Sequence, residues 1–193
     1  MTSHAYLDAI RNAIRRHPRI LAAWVLALTL FGQAVIPWET PKLTEETIAR
    51  CEAMVEPGDI LGVESARFVT GRVLPKGRYG VEHSAVYVGN SRVVEAVTPC
   101  VREIGFREFA RQYDRIVVGK PRQPYDRAKA CGMARSLVGR PYDTLFDDGT
   151  EEVYCHETCD VCMEAGGACP VRVGEFWKFD DLASAFESVE EVR

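Results

Sequence analysis

The stretch VEHSAVYVGNSRVVEAV at residues 81–97 decides the fold class, because its pattern is that of two strands joined by a tight turn. β-Branched residues lie on both sides of the turn-forming cluster Gly89-Asn90-Ser91. Such residues favour a pleated, half-buried surface, and Gly, Asn and Ser favour turns. We therefore predict a β-hairpin here.

Shorter elements are predicted on both sides of this hairpin. Thr44 is a suitable N-cap for a helix that Pro57-Gly58 ends. The other predicted elements are a strand at 59–63, a weak helix at 106–113, a strand at 116–119, an amphipathic helix at 126–138 closed by Gly139, a helix at 154–165 closed by Gly166-Gly167, and an acidic helix at 180–189. This order predicts an α+β domain with a small antiparallel sheet packed on helices.

Length and charge limit the class of protein. A chain of 193 residues is enough for one domain of ordinary size, and its 47% apolar and 27% charged residues are typical of globular proteins. The net charge is -4, although residues 1–19 carry four arginines against one aspartate. The rest of the chain is therefore acidic. We exclude nucleic acid as the main partner, since phosphate binding needs clustered Lys and Arg.

Residues 20–36, ILAAWVLALTLFGQAVI, form the one long apolar segment, interrupted only by Thr29 and Gln33. With the basic residues before it, this segment predicts a membrane anchor or a cleaved signal peptide at 1–37, and an extracytoplasmic domain at 38–193. The protein is then expected in the cell membrane as a single-pass protein, or in the periplasm or outside the cell after cleavage. Cleavage and retention both stay open, and the alternative is a buried core helix.

Two distant segments contain the residues that cysteine catalysis needs. Cys155 stands where the helix at 154–165 begins, and there the free N–H groups and the helix dipole lower the pKa of a thiol. A thiolate also needs a neighbouring imidazole and a polar group that orients it. His83 and Glu95, both in the hairpin, can supply these two roles.

The register of the hairpin decides whether Glu95 can reach His83. A two-residue turn at Gly89-Asn90 would place the two side chains on opposite faces of the hairpin. A three-residue turn that pairs Val88 with Arg92, or a two-residue turn corrected by a bulge, would place them on the same face. We predict one of these two arrangements.

Four motifs occur in a recognisable order: HSAVYVG at 83–89, VVEA at 93–96, GRPYD at 139–143 and YCHE at 154–157. In this order they resemble the permuted NlpC-type cysteine hydrolases, the YiiX/YaeF-like group. The resemblance extends over roughly residues 57–167. It implies a circularly permuted papain-like fold, in which the histidine strand precedes the cysteine helix.

The resemblance also implies roles for individual residues. Cys155 would be the nucleophile, His83 the base and Glu95 the third member, and Tyr142 would lie near the nucleophile with a part in the oxyanion site. The family usually has Cys-Ser-Glu-Leu where this chain has Cys-His-Glu-Thr, so that His156 is larger and ionisable.

The function that the resemblance implies is a cysteine hydrolase, an amidase, a peptidase or an acyl hydrolase, acting on cell-envelope peptides or lipid acyl chains without a metal or other cofactor. One alternative is a non-catalytic lipid- or cell-wall-binding module on the same fold. Another is a zinc-stapled interaction domain, although its single CxxC motif, Cys159 to Cys162, is half of what structural zinc sites usually use. An odd total of seven cysteines leaves at least one thiol unpaired, and we expect Cys155 to be free.

Overall fold

The computed structural model of the chain describes residues 42–64, 77–144, 151–174 and 177–192. Its helices are α1 (Glu45–Met54), α2 (Phe106–Ala110), α3 (Arg127–Ser136), α4 (Cys155–Ala165) and α5 (Phe179–Leu182). Its strands are β1 (Ile60–Glu64), β2 (His83–Gly89), β3 (Arg92–Val97), β4 (Cys100–Gly105), β5 (Arg115–Pro121) and β6 (Phe186–Val192). The predicted anchor or signal peptide at 1–37 lies outside the described residues. None of the helices among those residues has the length and apolar character that a membrane crossing requires.

The six strands form one sheet in the order β4-β3-β2-β1-β5-β6, and every neighbouring pair is antiparallel. β1 lies inside the sheet, where Ile60 is opposite Val86 on one side and Gly119 on the other. The predicted α+β class with an antiparallel sheet is confirmed. The sheet is larger than the sequence patterns indicate, because β4 and β6 were not predicted.

Helices cover both faces of the sheet, so β2 is buried along nearly its whole length. Alternate residues of β2 enter different cores: Val86 joins the core shared with α3 and α4, and Ala85 joins the core shared with α1 and α2. The first core includes Met163 of α4, and the second includes Phe109 of α2.

The helices begin where capping residues predict. Thr44 accepts a hydrogen bond from the N–H of Thr47 at 3.1 Å, and Asp126 accepts one from Lys129 at 3.0 Å. α4 begins at Cys155 and ends before Gly166. The sequence therefore places the candidate nucleophile correctly, in the first turn of a helix.

The acidic helix predicted at 180–189 is wrong. The chain makes only the one-turn α5 and a short 3₁₀ turn there, and then continues as β6 along the free edge of β5. Phe186 packs over Gly119, where any side chain would collide with its ring. The free energy gained by completing the sheet and burying Phe186 exceeds the local preference of this acidic segment for a helix.

The hairpin has a two-residue turn with a bulge, which is one of the two predicted arrangements. Asn90 and Ser91 have φ values of 52° and 55°, Gly89 pairs with Arg92, and the register shifts between Tyr87 and Gly89. The turn therefore lies one residue later than Gly89-Asn90. Because of the bulge, Glu95 is opposite Ala85 and shares a face of the hairpin with His83.

The turn offers a test of this register through stability. Ser91 holds a left-handed conformation that costs a residue with a Cβ about 1 kcal/mol, and glycine adopts it freely. The N–H of Ser91 bonds Tyr87, and its carbonyl accepts from Phe106, so both contacts survive substitution. We expect Ser91→Gly to raise the free energy of unfolding in urea by about 0.5–1 kcal/mol. Ser91→Ala is the control without this gain, and a less stable Ser91→Gly protein would contradict the turn.

Candidate active site

Cys155 is the first residue of α4 and is 6% exposed. Its sulfur receives hydrogen bonds from His83 and from the backbone N–H groups of Ser84 and His156. Burial raises the pKa of the thiol, but the hydrogen bond and charge of His83, together with the two N–H groups, outweigh burial and lower it below the ordinary value. The environment of Cys155 therefore favours the thiolate.

His83 is the first residue of β2, and its Nε2 lies 2.9 Å from Oε2 of Glu95. Burial lowers the pKa of His83, but the hydrogen bonds to Cys155 and Glu95 outweigh burial and raise it to about 9. The imidazole also stacks on the ring of Tyr113, with centroids 6.1 Å apart. Since Nε2 faces the carboxylate, Nδ1 is the ring nitrogen left for proton exchange with the thiol.

Glu95 is fully buried and lies between His83 and a second cation. Its Oε1 accepts hydrogen bonds from Nε and Nη2 of Arg102, at 2.9 and 2.7 Å. Burial raises the pKa of Glu95, but His83 and Arg102 outweigh burial and lower it. The carboxylate is therefore ionised and fixed in orientation.

Sequence reasoning missed Arg102. It lies on β4, directly opposite Glu95 on β3. The signal that could have found it is a second turn after Val97, which would have placed residues 100–105 as a strand beside the hairpin. Opposite charges facing each other across neighbouring strands then follow from the pairing.

Tyr142 lies beside the nucleophile and donates a hydrogen bond to the Cys155 sulfur. Burial, with the nearby charge of Cys155, raises the pKa of its hydroxyl far above the ordinary value. A backbone hydrogen bond from Tyr142 to Pro99 at 3.0 Å and a bridge to Val153 hold this segment in place. The four residues selected in the sequence analysis therefore form one group of hydrogen-bonded side chains, in the order Glu95, His83, Cys155 and Tyr142.

His156 occupies a different environment from His83. Its Nδ1 lies 2.7 Å from Oγ of Ser84, which also accepts a hydrogen bond from the thiol of Cys159 at 3.3 Å. Burial, and next the charge of His83, lower the pKa of His156 to about 3. The residue is therefore a neutral part of the contact between α4 and β2.

The other cysteines are free thiols, as all seven are. Burial raises the pKa of Cys51 to about 12, and it also raises the pKa values of Cys159 and Cys162. Within the described ranges, no three His, Cys, Asp or Glu side chains are grouped so as to hold a metal ion. Cys155 is the thiol whose surroundings lower its pKa.

Comparison with known proteins supports the family indicated by the motifs. A family model described as permuted papain-like amidase enzyme, YaeF/YiiX, C92 family, matches residues 54–177. The chain is also similar to the crystal structure of the metalloprotein yiiX from Escherichia coli O157:H7, with a TM-score of 0.50 and 24% identity over 62% of this chain and 69% of that chain. At this identity the likeness concerns the fold. Comparison with curated proteins gives no match.

The predicted resemblance is confirmed, with one correction of name, because the matching family is described by YaeF/YiiX and C92 rather than as NlpC-type. The match covers more than half of the chain and includes the hairpin, the GRPYD segment and α4. The chain therefore belongs to the YaeF/YiiX, C92 family of permuted papain-like amidases.

Proposed function

We propose that this protein is a cysteine amidase in which Cys155 is the nucleophile, His83 the general acid and base, and Glu95 the group that orients the imidazole. The observation that carries the proposal is the continuous chain of hydrogen bonds from the Cys155 sulfur through His83 to Glu95. A thiol, an imidazole and a carboxylate in this sequence are the parts that nucleophilic acyl transfer requires.

The reaction has two stages, acylation and hydrolysis. The Cys155 thiolate attacks the carbonyl carbon, a C–S bond forms, and the carbonyl electron pair moves to oxygen. Protonated His83 donates its proton to the amide nitrogen, the C–N bond breaks, and the amine leaves. Water then attacks the thioester while His83 accepts its proton. The C–S bond breaks, and the acid product and the thiolate are released.

The negative oxygen of the intermediate needs hydrogen-bond donors. The first N–H groups of a helix have no partner within the helix, and α4 presents such groups beside the sulfur of Cys155. The hydroxyl of Tyr142 is a further donor at the sulfur. We assign oxyanion stabilisation to the start of α4, with Tyr142 as its side-chain contributor.

Amide bonds of cell-envelope peptides are the substrates that we propose, with lipid acyl chains as the second choice. The family is one of amidases, which favours an amide over an ester. The envelope as the site of action depends on the predicted anchor or signal peptide at 20–36, outside the described residues. Under this proposal the catalytic domain faces the extracytoplasmic side.

The mechanism uses no metal ion. The similar yiiX structure is described as a metalloprotein. In the part of this chain that the structure describes, His, Cys, Asp and Glu side chains do not form a group of three or more that could hold a metal. The described residues therefore do not fit a metal centre, and every step proposed above belongs to side chains among them.

Selective alkylation of the full chain tests the proposal. With limiting iodoacetamide near neutral pH, we expect Cys155 to react before the exposed Cys169, because only thiolates react appreciably and His83 stabilises the thiolate at Cys155. Peptide mapping by mass spectrometry gives the order of labelling. His83→Ala should abolish the preference, and Cys162→Ala, which removes a buried thiol of the same helix, should keep it. A Cys155 that reacts no faster than Cys169 under reducing conditions refutes the assignment.

A further inference from the structure

The side chain of His156, the residue directly after the nucleophile, has no role in the mechanism above. It is 9% exposed, and its Nδ1 contacts the hydroxyl of the wholly buried Ser84. The two residues are 72 positions apart in the sequence and meet only because α4 packs on β2. A buried polar contact of this kind joins the start of the helix to the strand that carries His83.

The hydroxyl of Ser84 lies between two hydrogen-bond partners, the thiol of Cys159 and the imidazole of His156. The thiol of Cys159 donates to Ser84 Oγ, so the single hydrogen of the Ser84 hydroxyl is free to point at Nδ1 of His156. A neutral imidazole that accepts at Nδ1 has its proton on Nε2. The low pKa of His156, about 3, keeps the ring neutral throughout the working pH range. Protonation of the imidazole therefore does not compete with its hydrogen bond to Ser84 near neutral pH.

The same two residues also contact the nucleophile through their backbones. The N–H groups of Ser84 and His156 both donate to the Cys155 sulfur and lower the pKa of the thiol. One of these donors belongs to β2 and the other to α4. The side-chain bond thus connects the two backbone donors of the thiolate.

We propose that His156 is a positioning residue, whose hydrogen bond to Ser84 holds the start of α4 against β2 so that both N–H groups face the Cys155 sulfur. Without this bond, helix and strand can separate by a few tenths of an ångström, and a hydrogen bond to sulfur weakens steeply with distance and angle. The thiolate then loses a hydrogen-bond donor, and the pKa of Cys155 rises. This role rests on the proposed function, because it matters only if Cys155 reacts as a thiolate.

A change in the titration of Cys155 can be attributed to this contact, because few neighbouring groups ionise in the same range. Burial raises the pKa values of the three neighbouring tyrosines, and of Cys159, and the lowered pKa of Glu95 keeps its carboxylate ionised. Among the described residues, His83, with a pKa raised to about 9, and Asp160 of α4, whose pKa burial raises to about 7, change charge near the working range. The ionisable side chains that interact with Cys155 are His83, Tyr113, Tyr142, Tyr154 and Cys159, and Glu95 reaches it only through His83.

The test is the pH dependence of Cys155 alkylation by iodoacetamide in the full chain. We expect His156→Leu and Ser84→Ala each to raise the midpoint of this profile by about one pH unit. The double variant should be no further shifted than either single variant, because both remove the same bond. His156→Asn places an amide oxygen near the position of Nδ1, and we expect it to restore most of the wild-type midpoint.

The control is Cys162→Ala, which leaves a cavity on the same helix and should keep the wild-type midpoint. If wild-type Cys155 is not alkylated ahead of Cys169, the proposed function itself fails. If it is, and Ser84→Ala and His156→Leu keep the wild-type midpoint, only the positioning role is overturned. If His156→Leu does not fold, Ser84→Ala and His156→Asn replace it in the test. A raised midpoint in Ser84→Ala with a near wild-type midpoint in His156→Asn supports the positioning role, and a wild-type midpoint in Ser84→Ala overturns it.

Discussion

Replacing Cys155 with alanine is expected to reduce kcat/KM by about 10⁴-fold or more while the protein stays folded. The side chain is small and lies at the start of α4, so its replacement by alanine removes a single sulfur atom from a buried site. Cys155→Ser is expected to be nearly as inactive, since a hydroxyl has a much higher pKa than a thiol and His83 cannot ionise it in the ground state. The loss is therefore chemical and not structural.

Hydrolysis of p-nitrophenyl acetate, a general acyl probe, measures this loss. The wild-type protein should release a burst of nitrophenol and form an acetyl thioester at Cys155 that mass spectrometry detects. His83→Ala should lower the rate by about 10³-fold, and the double variant should be no worse than Cys155→Ala, because the two residues act as a unit. Cys162→Ala is the matched control and should keep the burst. Turnover by Cys155→Ala near the wild-type rate would remove Cys155 from the mechanism.

Local signals were enough to predict the elements that carry the site. Gly166-Gly167 marks the end of α4, and the turn residues before Arg92 mark the hairpin. Both signals act within a few residues, so they can be recognised without the rest of the fold. The positions of Cys155 and His83 followed from them.

The hairpin register could be narrowed to two arrangements but not decided from the sequence. The bulge near Val88 uses one extra residue on β2, and nothing in the residues 87–89 themselves demands it. The bulge is favoured by tertiary contacts, because it lets Glu95 become buried against His83 and Arg102 instead of facing the opposite core. A buried carboxylate with two cationic partners is tolerated, whereas one among apolar side chains is not.

The strands at the two edges of the sheet were missed for a related reason. β6 carries Glu187, Glu190 and Glu191, a composition that resembles a solvated helix, and charged residues are also common on edge strands. Its place is decided by β5, whose free edge it completes. β4 is equally dependent on β3. Elements that form only on a partner leave a weak local pattern.

The second large effect is expected for Glu95→Gln, in which the carboxylate becomes an amide of the same shape. In the wild-type protein, Glu95 helps to raise the pKa of His83 to about 9. A raised histidine pKa keeps the imidazolium, and hence its pair with the Cys155 thiolate, present below that pH, and the pair is lost as pH rises through it. Activity should therefore rise with the ionisation of Cys155 and fall near pH 9.

Glutamine removes the negative charge and also disturbs the tautomer of His83. Its oxygen remains the acceptor for Arg102, so its NH₂ group is directed at Nε2 of His83, which must then accept. The neutral imidazole consequently has its proton on Nδ1 and cannot take one from the thiol. We expect kcat/KM to fall by about 10²-fold or more. The alkaline limit, which is the pH at which kcat/KM decreases on the alkaline side, should move down by about one to three pH units.

The pH dependence of kcat/KM with p-nitrophenyl acetate measures both effects, and Glu103→Gln is the matched control. Glu103 lies on β4 next to Arg102 and pairs with Arg92, so this substitution removes one negative charge from the same region without touching His83. It should leave the alkaline limit unchanged. Arg102→Gln removes the cation and leaves the carboxylate, and it should not lower the limit. An alkaline limit that stays near pH 9 in Glu95→Gln would mean that the thiolate alone holds the proton on His83, and Glu95 would then be a structural residue.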